Sequence, residues 1–465
     1  MQKKKLVIGL FGFGCVGKGL YDVINRGNET GQVAFIKKIV AKDPLKKRNI
    51  SPAHLSFLKE DILNDDEINV VVELIDDADA AFDIVSAAMR NGKAVVSANK
   101  KMIAENFDEL YRLQKEFNVP FLYEAACCAS LPLIRNLEEY YDTDTLQSIE
   151  GIVNGSTNYI LTKTCAENIS FNKALETAQS LGYAESDPTL DICGFDAAFK
   201  LSILLIHAFG IYIKKAAIFT SGIHRITEAD NAYAFARGMK IKLIAGAFIQ
   251  EDGSLCFFVL PKFIPRDHIL YHVDDVFNGV IMKTTFADTH FFSGRGAGAL
   301  PTASAVLSDI SALGYDYKYA YKKLTGNRRK KTSTNFFLKV LVSFPVEKAA
   351  IVQPFFTSIQ ETFTNPESGY FTGTIHFENL QRLKEMDDTI SIILMDVCDT
   401  GVAKEKENKI VETEVEAVAP WRAAELTSKK EETYLQLCSN KVNTKVGKTF
   451  VMFTMKPPPH DGIGG

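Results

Sequence analysis

Glu185, Asp187, Asp191, Asp196 and Lys200 fall within sixteen residues, in Leu181-Gly-Tyr183-Ala-Glu185-Ser-Asp187-Pro-Thr-Leu-Asp191-Ile-Cys-Gly-Phe-Asp196-Ala-Ala-Phe-Lys200. Carboxylates gathered this way suit the ammonium group of an amino-acid substrate, and a lysine ammonium can act as general acid toward a carbonyl oxygen. Asp196 and Lys200 are four apart, so on a helix they share one face. That spacing is also ordinary for a surface ion pair. The helix that would carry them continues as the apolar stretch Leu201–Phe209, and a lysine on a buried helix needs a partner or a task.

A second patch, Ser97-Ala-Asn99-Lys100-Lys101, follows a short apolar strand. The carboxyl ends of parallel strands are where such sheets bind ligands; the alternative is a helix-initiating loop with exposed lysines. A third signal is Gly12-Phe13-Gly14-Cys15-Val16-Gly17, between an apolar strand and a helix. Gly12 permits the tight turn, Gly14 lets the backbone approach a pyrophosphate, and Gly17 lets helix and sheet pack closely. The phosphates of a dinucleotide would rest on the helix N-terminus, with Phe13 and Val16 in the same turn beside the cofactor. After the second strand the chain reads Val40-Ala-Lys42-Asp43, then Lys46, Lys47 and Arg48. Lys42 and the basic cluster favour the extra phosphate of NADP, whereas Asp43 suits the free ribose hydroxyls of NAD. A solvated basic loop is the other reading.

Elements must position these groups. Leu6–Phe11, Phe35–Val40, Asn69–Ile75, Ala94–Ser97 and Phe121–Tyr123 read as strands, with helical segments such as Val16–Ile24 and Ala78–Asn91 between them. Strand–helix alternation implies a parallel sheet covered on both faces. From Ser148 a strand (Ser148–Val153) leads into helices Tyr159–Cys165, Asn172–Leu181 and Phe195–Phe209, then into more strands. The expected fold is α/β: a Rossmann-type domain over 1–135, completed by 303–324 within a helical Pro301–Leu324. An α+β catalytic, substrate-binding and dimerisation domain covers 136–302. A polar, basic linker (325–334), a small C-terminal α+β domain (335–455) and a disordered tail (456–465) follow.

Lys and Arg total 53 against 57 Asp and Glu, 46% of residues are hydrophobic and 24% charged. This composition excludes disorder over most of the chain and disfavours nucleic acid or an anionic membrane as a main partner. No run of about 18 apolar residues occurs, and the basic start turns Gly-rich too soon for a signal peptide. A cytoplasmic protein is expected. Eight cysteines and eight histidines show no zinc-ligand spacing. The adjacent Cys127 and Cys128 read as small buried apolar residues, with a redox device as the alternative.

The separated blocks resemble those of homoserine dehydrogenases. These blocks are the glycine turn, Ser97–Lys101, Tyr123-Glu-Ala125, Gly151–Leu161, Leu181–Lys200 and Gly294–Ala305. The resemblance implies reversible NAD(P)H-dependent reduction of L-aspartate 4-semialdehyde to L-homoserine, in threonine and methionine biosynthesis. It implies Lys200 as proton donor and acceptor at the substrate oxygen, with Lys100 assisting at the nicotinamide end. Glu185 and Asp196, with Asp191 and Tyr183, would hold homoserine; Gly155, Gly182 and Gly298 would line the cofactor. A monovalent cation, usually sodium, would sit on Glu124 and the carbonyls of Cys127, Ala129 and Leu131. The substrate is a small molecule, and the expected assembly a homo-oligomer, at least a dimer through the substrate domain.

Two departures stand out. Where the family generally has Glu-Leu-Ile-Gly-Gly, this chain has Glu73-Leu-Ile-Asp76-Asp77, and the Gly-rich run after Tyr-Glu-Ala is replaced by Ala126-Cys-Cys-Ala-Ser130. Asn335 onward starts like the first strand of a regulatory ACT module, but its turn reads Phe344-Pro-Val346 without glycine; a degenerate ACT-like unit without an effector is expected. No aspartate kinase domain is expected ahead of it, which is the arrangement of the monofunctional relatives. Two other readings compete: a different dehydrogenase of amino acids or semialdehydes, including one with a nucleophilic Cys127 or Cys128, and a non-catalytic nucleotide sensor.

Overall fold

The structure is a computed structural model that describes residues 5–26, 34–326, 331–387 and 389–398. Part of the expected linker, the end of the third unit, the 456–465 tail and Cys438 lie outside the described residues.

Six short strands build the first sheet: β1 (Leu6–Phe11), β2 (Ala34–Val40), β3 (Leu55–Ser56), β4 (Val70–Glu73), β5 (Ala94–Ser97) and β6 (Phe121–Leu122). Their order is β3-β2-β1-β4-β5-β6 and every pairing is parallel. This is the doubly wound order, whose direction reverses between β1 and β4 and opens a crevice at their carboxyl ends. β1 and β4 are buried along their whole length, as continuous apolar strands covered on both faces must be. Two of the helices between them start on side-chain caps: Asp77 accepts from Asp79 and Ala80 N–H, and Asn99 accepts from Met102 N–H.

The second sheet begins with β7 (Leu146–Ile152), β8 (Met239–Ile249), β9 (Leu255–Pro265), β10 (Phe277–Thr284) and β11 (Thr289–Arg295), in antiparallel order β11-β10-β7-β8-β9. Packed on it is the helix Phe195–Phe209, buried along nearly its whole length and bounded by left-handed glycines, Gly194 and Gly210. The sheet then continues into the C-terminal segment: β12 (Phe337–Pro345), β13 (Phe356–Thr364), β14 (Ser368–His376) and β15 (Ser391–Cys398). Here the order is β15-β12-β14-β13, joined to β9 by a parallel pairing of Leu394 with Lys262. Cys256, Phe258 and Leu260 of β9 share one apolar layer with Leu338, Val340 and Val342 of β12.

Pro301–Leu324, expected to be helical throughout, is not. The helix runs from Ala299 to Leu313, and only a short turn, Lys322–Thr325, follows. Between them Asp316 and Tyr321 take left-handed conformations. Tyr317, Tyr319 and Tyr321 recur every second residue, and Tyr319 and Tyr321 are buried; that is the period of extended chain, not of a helix. Helix Ala299–Leu313 packs against helix Cys15–Arg26 of the first unit. Among the described residues no helix is long and apolar enough to cross a membrane.

Candidate active site

A cleft of about 580 Å³ lies at the carboxyl ends of the first sheet. Val16 follows β1, Ile75 and Asp76 follow β4, Lys100 follows β5 and Ala125 follows β6; all line it. The facing wall comes from the second unit: Asn154–Ser156, Gly182–Glu185, Asp191, Asp196, Lys200 and Arg295–Gly298.

At its floor Asp196 lies between two ammonium groups. Lys200 Nζ donates to Asp196 Oδ2 at 2.7 Å, while Lys100 Nζ lies 3.0 Å from Oδ1. Lys200 also donates to the Val153 carbonyl at 2.7 Å. An ammonium has three N–H donors, so one more remains to meet a substrate oxygen. Burial opposes charge on Asp196, but Lys100, Lys200 and the hydrogen bonds from Lys200 and Asn154 outweigh it and hold its carboxyl well below the usual range. Burial likewise opposes charge on Lys200, and the carboxylate of Asp196 overcomes it, holding the ammonium above the ordinary lysine value. Asp191 moves the other way, pushed up by burial and by the charge of Asp196.

Asn154 completes this group, and it was not among the residues expected from sequence. Its Nδ2 donates to Asp191 Oδ1 at 2.7 Å and to Asp196 Oδ2 at 2.8 Å, while its Oδ1 accepts from Thr157 N–H. An Asn directly before Gly-Ser-Thr is a helix-cap signal, and the helix begins at Gly155, earlier than the expected Tyr159. The N-terminus of that helix therefore faces the cleft and favours a negative group. A Cβ at Gly155 would meet the Val276 carbonyl oxygen at 2.9 Å. Ser156 Oγ donates to the Tyr183 carbonyl at 2.6 Å, anchoring the loop of Gly182, Tyr183 and Glu185; the Tyr183 ring stands edge-on to Tyr159.

The glycine turn fits a dinucleotide. A Cβ on Gly12 would sit 2.4 Å from the Leu74 carbonyl oxygen, and one on Gly17 would sit 2.2 Å from that of Gly12. A Cβ on Gly14 would meet nothing within 4 Å, so its open side is room for a ligand. Beside it lies a smaller cavity of about 310 Å³ walled by Phe13, Gly14, Cys15, Lys18, Lys46, Lys47 and Arg48, among others. Lys42 is exposed and is not part of that wall. Gly298, with φ +121°, starts helix Ala299–Leu313 and lines the main cleft. The two unexpected acids differ in placement: Asp77 caps a helix, whereas Asp76 faces the cleft.

Glu124 is buried, with its oxygens accepting from Ile134 and Arg135 N–H at 2.9 and 2.8 Å. Burial, then the charge of Asp309, push its carboxyl up to about 7. The Leu131 carbonyl accepts from Leu133 N–H, while Cys128 and Ala129 take left-handed conformations. Two buried carboxylates, Glu124 and Asp309, thus share one nearby cation, Arg135; in charge and oxygen donors the loop suits a monovalent cation. Among the described residues no three His, Cys, Asp or Glu side chains gather to hold a metal. The thiols of Cys127 and Cys128 are buried and pushed up by that burial, the opposite of what a nucleophilic cysteine needs.

Residues 132–311 match the family model described as homoserine dehydrogenase, and residues 12–124 match that of the homoserine dehydrogenase NAD binding domain. The chain is 37% identical over 313 residues to homoserine dehydrogenase of Synechocystis sp., covering 65% of this chain and 72% of that one. It is 38% identical over 314 residues to the Helicobacter pylori enzyme, covering 66% and 74%. Among solved structures, a homoserine dehydrogenase from Thiobacillus denitrificans superposes with a TM-score of 0.75 at 28% identity, covering 85% of this chain and 99% of that one. A hyperthermophilic archaeal homoserine dehydrogenase in complex with NADPH gives a TM-score of 0.59 at 28% identity, with 68% and 99% covered.

Proposed function

The chain belongs to the homoserine dehydrogenase family, an NAD(P)-dependent oxidoreductase of the homoserine CH–OH group, and from that premise we propose how its own residues divide the work. Bound NAD(P)H supplies the hydride that reduces the aldehyde carbon of L-aspartate 4-semialdehyde. The carbonyl oxygen then gains negative charge, and the Lys200 ammonium stabilises and protonates it. Lys100 supports the same oxygen from the nicotinamide side. In homoserine oxidation Lys200 takes the proton back.

Glu185 and Asp196, with Asp191 and Tyr183 beside them, hold homoserine. Asp196 keeps both lysines charged and aimed. The observation that carries this reading is the grip of Lys100 and Lys200 on opposite oxygens of Asp196. Asp196→Asn and Lys100→Met, followed by nicotinamide absorbance with L-homoserine, test it. Both should lose turnover; unchanged turnover in both would remove the assignment.

The dinucleotide rests on the turn of Gly12, Phe13, Gly14, Val16 and Gly17, with Gly155, Gly182 and Gly298 across from it. The wall of Lys46, Lys47 and Arg48 supports NADP over NAD, with Lys42 at its edge. A monovalent cation on Glu124 and the carbonyls of Cys127, Ala129 and Leu131 belongs to the same reading. So does an ACT-like C-terminal unit, supported by its strand–helix–strand–strand–helix–strand sequence. Residues 1–135 with 303–324 then hold the cofactor, and 136–302 the substrate. Homo-oligomer formation through the second unit is supported by its exposed Ile269, Phe277 and Phe286. Cytoplasmic placement is supported by the buried thiols of Cys127, Cys128 and Cys256.

A further inference from the structure

Glu73 is completely buried at the carboxyl end of β4, and none of the steps above uses it. A carboxylate enclosed in an apolar sheet needs hydrogen-bond partners, and its partners lie on the loop after β4 and at the end of β5, where the chain turns into the cleft. Its Oε1 accepts from Ile75 N–H at 2.7 Å, next to Asp76. Its Oε2 accepts from Ser97 Oγ at 2.5 Å, and the same Oγ accepts from Asn99 N–H at 3.1 Å. Asn99 closes the circuit: its Nδ2 donates to the Ile75 carbonyl at 3.1 Å, and its Oδ1 caps the helix through Met102 N–H at 2.9 Å. Lys100 is the first residue of that helix.

We propose that Glu73 is a positioning residue for Lys100, acting through Ser97 and Asn99 to lock the start of helix Lys100–Phe117 against the β4 loop. The inference rests on the reading that Lys100 acts at the substrate oxygen. Lys100 is half-exposed on a flexible stem, so its aim depends on where its backbone begins. Homoserine is held by groups from the other unit, so a slackened Glu73 circuit should cost turnover rather than homoserine affinity.

Glu73→Gln and Ser97→Ala, each made in the full chain and again in Lys100→Met, test this with L-homoserine and NADP. Each should lower kcat about tenfold, the scale of a misplaced catalytic group, with the homoserine KM within about twofold of wild type. Ser97→Thr, which keeps the hydroxyl, should retain most of the wild-type kcat. In the Lys100→Met background, adding either change should leave kcat where it was. Equal fold-losses in both backgrounds would overturn the inference while leaving the role of Lys100 intact. A Lys100→Met enzyme with wild-type kcat would overturn both. If Glu73→Gln fails to fold, the Ser97 pair carries the same comparison.

Discussion

Lys100 and Lys200, from different units of the fold, hold opposite oxygens of one carboxylate: Lys100 Nζ is 3.0 Å from Asp196 Oδ1 and Lys200 Nζ is 2.7 Å from Oδ2. The site is thereby built across the cleft, with the cofactor-bearing sheet and the substrate-bearing helix meeting at Asp196. Its charges are mutually dependent, and that makes its pH behaviour predictable.

The Lys200 ammonium is held above its ordinary value, so its stabilising effect is complete below the unfolded lysine value of about 10.4 and fades as pH rises through the higher folded one. The Asp196 carboxyl is held low, so its contribution is present above about 3.9 and is lost as pH falls through the lower folded value. Between those limits the pair is intact. In Asp196→Asn the main group that opposes burial is gone, and the Lys200 value should fall. The alkaline limb of aldehyde reduction should then move toward neutral pH, measured as residual kcat against pH. Urea unfolding near pH 7 should show a loss of about 3 kcal/mol, the cost of breaking a buried pair.

Gly14 and Gly17 should separate ligand space from packing space. Gly14→Ala places its Cβ in open room, so melting should be unchanged while NADPH affinity, read by fluorescence titration, falls tenfold or more. Gly17→Ala drives a Cβ onto the Gly12 carbonyl, and stability should drop by about 1–3 kcal/mol.

Lys46→Ala and Lys47→Ala should raise the KM for NADP, each by about tenfold, the worth of a charged hydrogen bond to phosphate, and leave that for NAD nearly unchanged. Arg48 also donates to the carbonyls of Asp43 and Lys46, so Arg48→Ala should loosen the loop and affect both cofactors.

Truncation after Gly326 should not yield a well-behaved two-unit enzyme. It uncovers Phe258 and Leu260 of β9, which β12 and β15 now bury, and removes the pairing at Lys262. The expected outcome is aggregation on size-exclusion chromatography; a monodisperse, active fragment would contradict this.

Much of the site was legible in the sequence because its signals are local. The glycine turn announces its own geometry, and Lys200 stands out as a charge on an apolar helix one turn after Asp196. Partnerships between distant residues leave no such trace: nothing local links Lys100 to Asp196 or Asn154 to Asp191. Asp76 and Asp77 look equivalent as letters, yet one faces the cleft and the other caps a helix, a difference set by a single residue of register. The helical reading of Pro301–Leu324 failed because the chain leaves the helix after Leu313 and buries Tyr319 and Tyr321, two residues apart. Joining of β15 to β9 depends on tertiary pairing that neither strand encodes alone.

The most direct test of the central assignment is turnover of L-homoserine with NADP and then NAD, followed by nicotinamide absorbance, in wild type beside Lys200→Ala. Turnover should fall by about a hundredfold or more, the contribution of a positioned acid–base group, while NADPH binding by fluorescence stays at its wild-type affinity. Near-wild-type turnover in Lys200→Ala, with cofactor still bound, would contradict the assignment of Lys200 as the group that moves the proton.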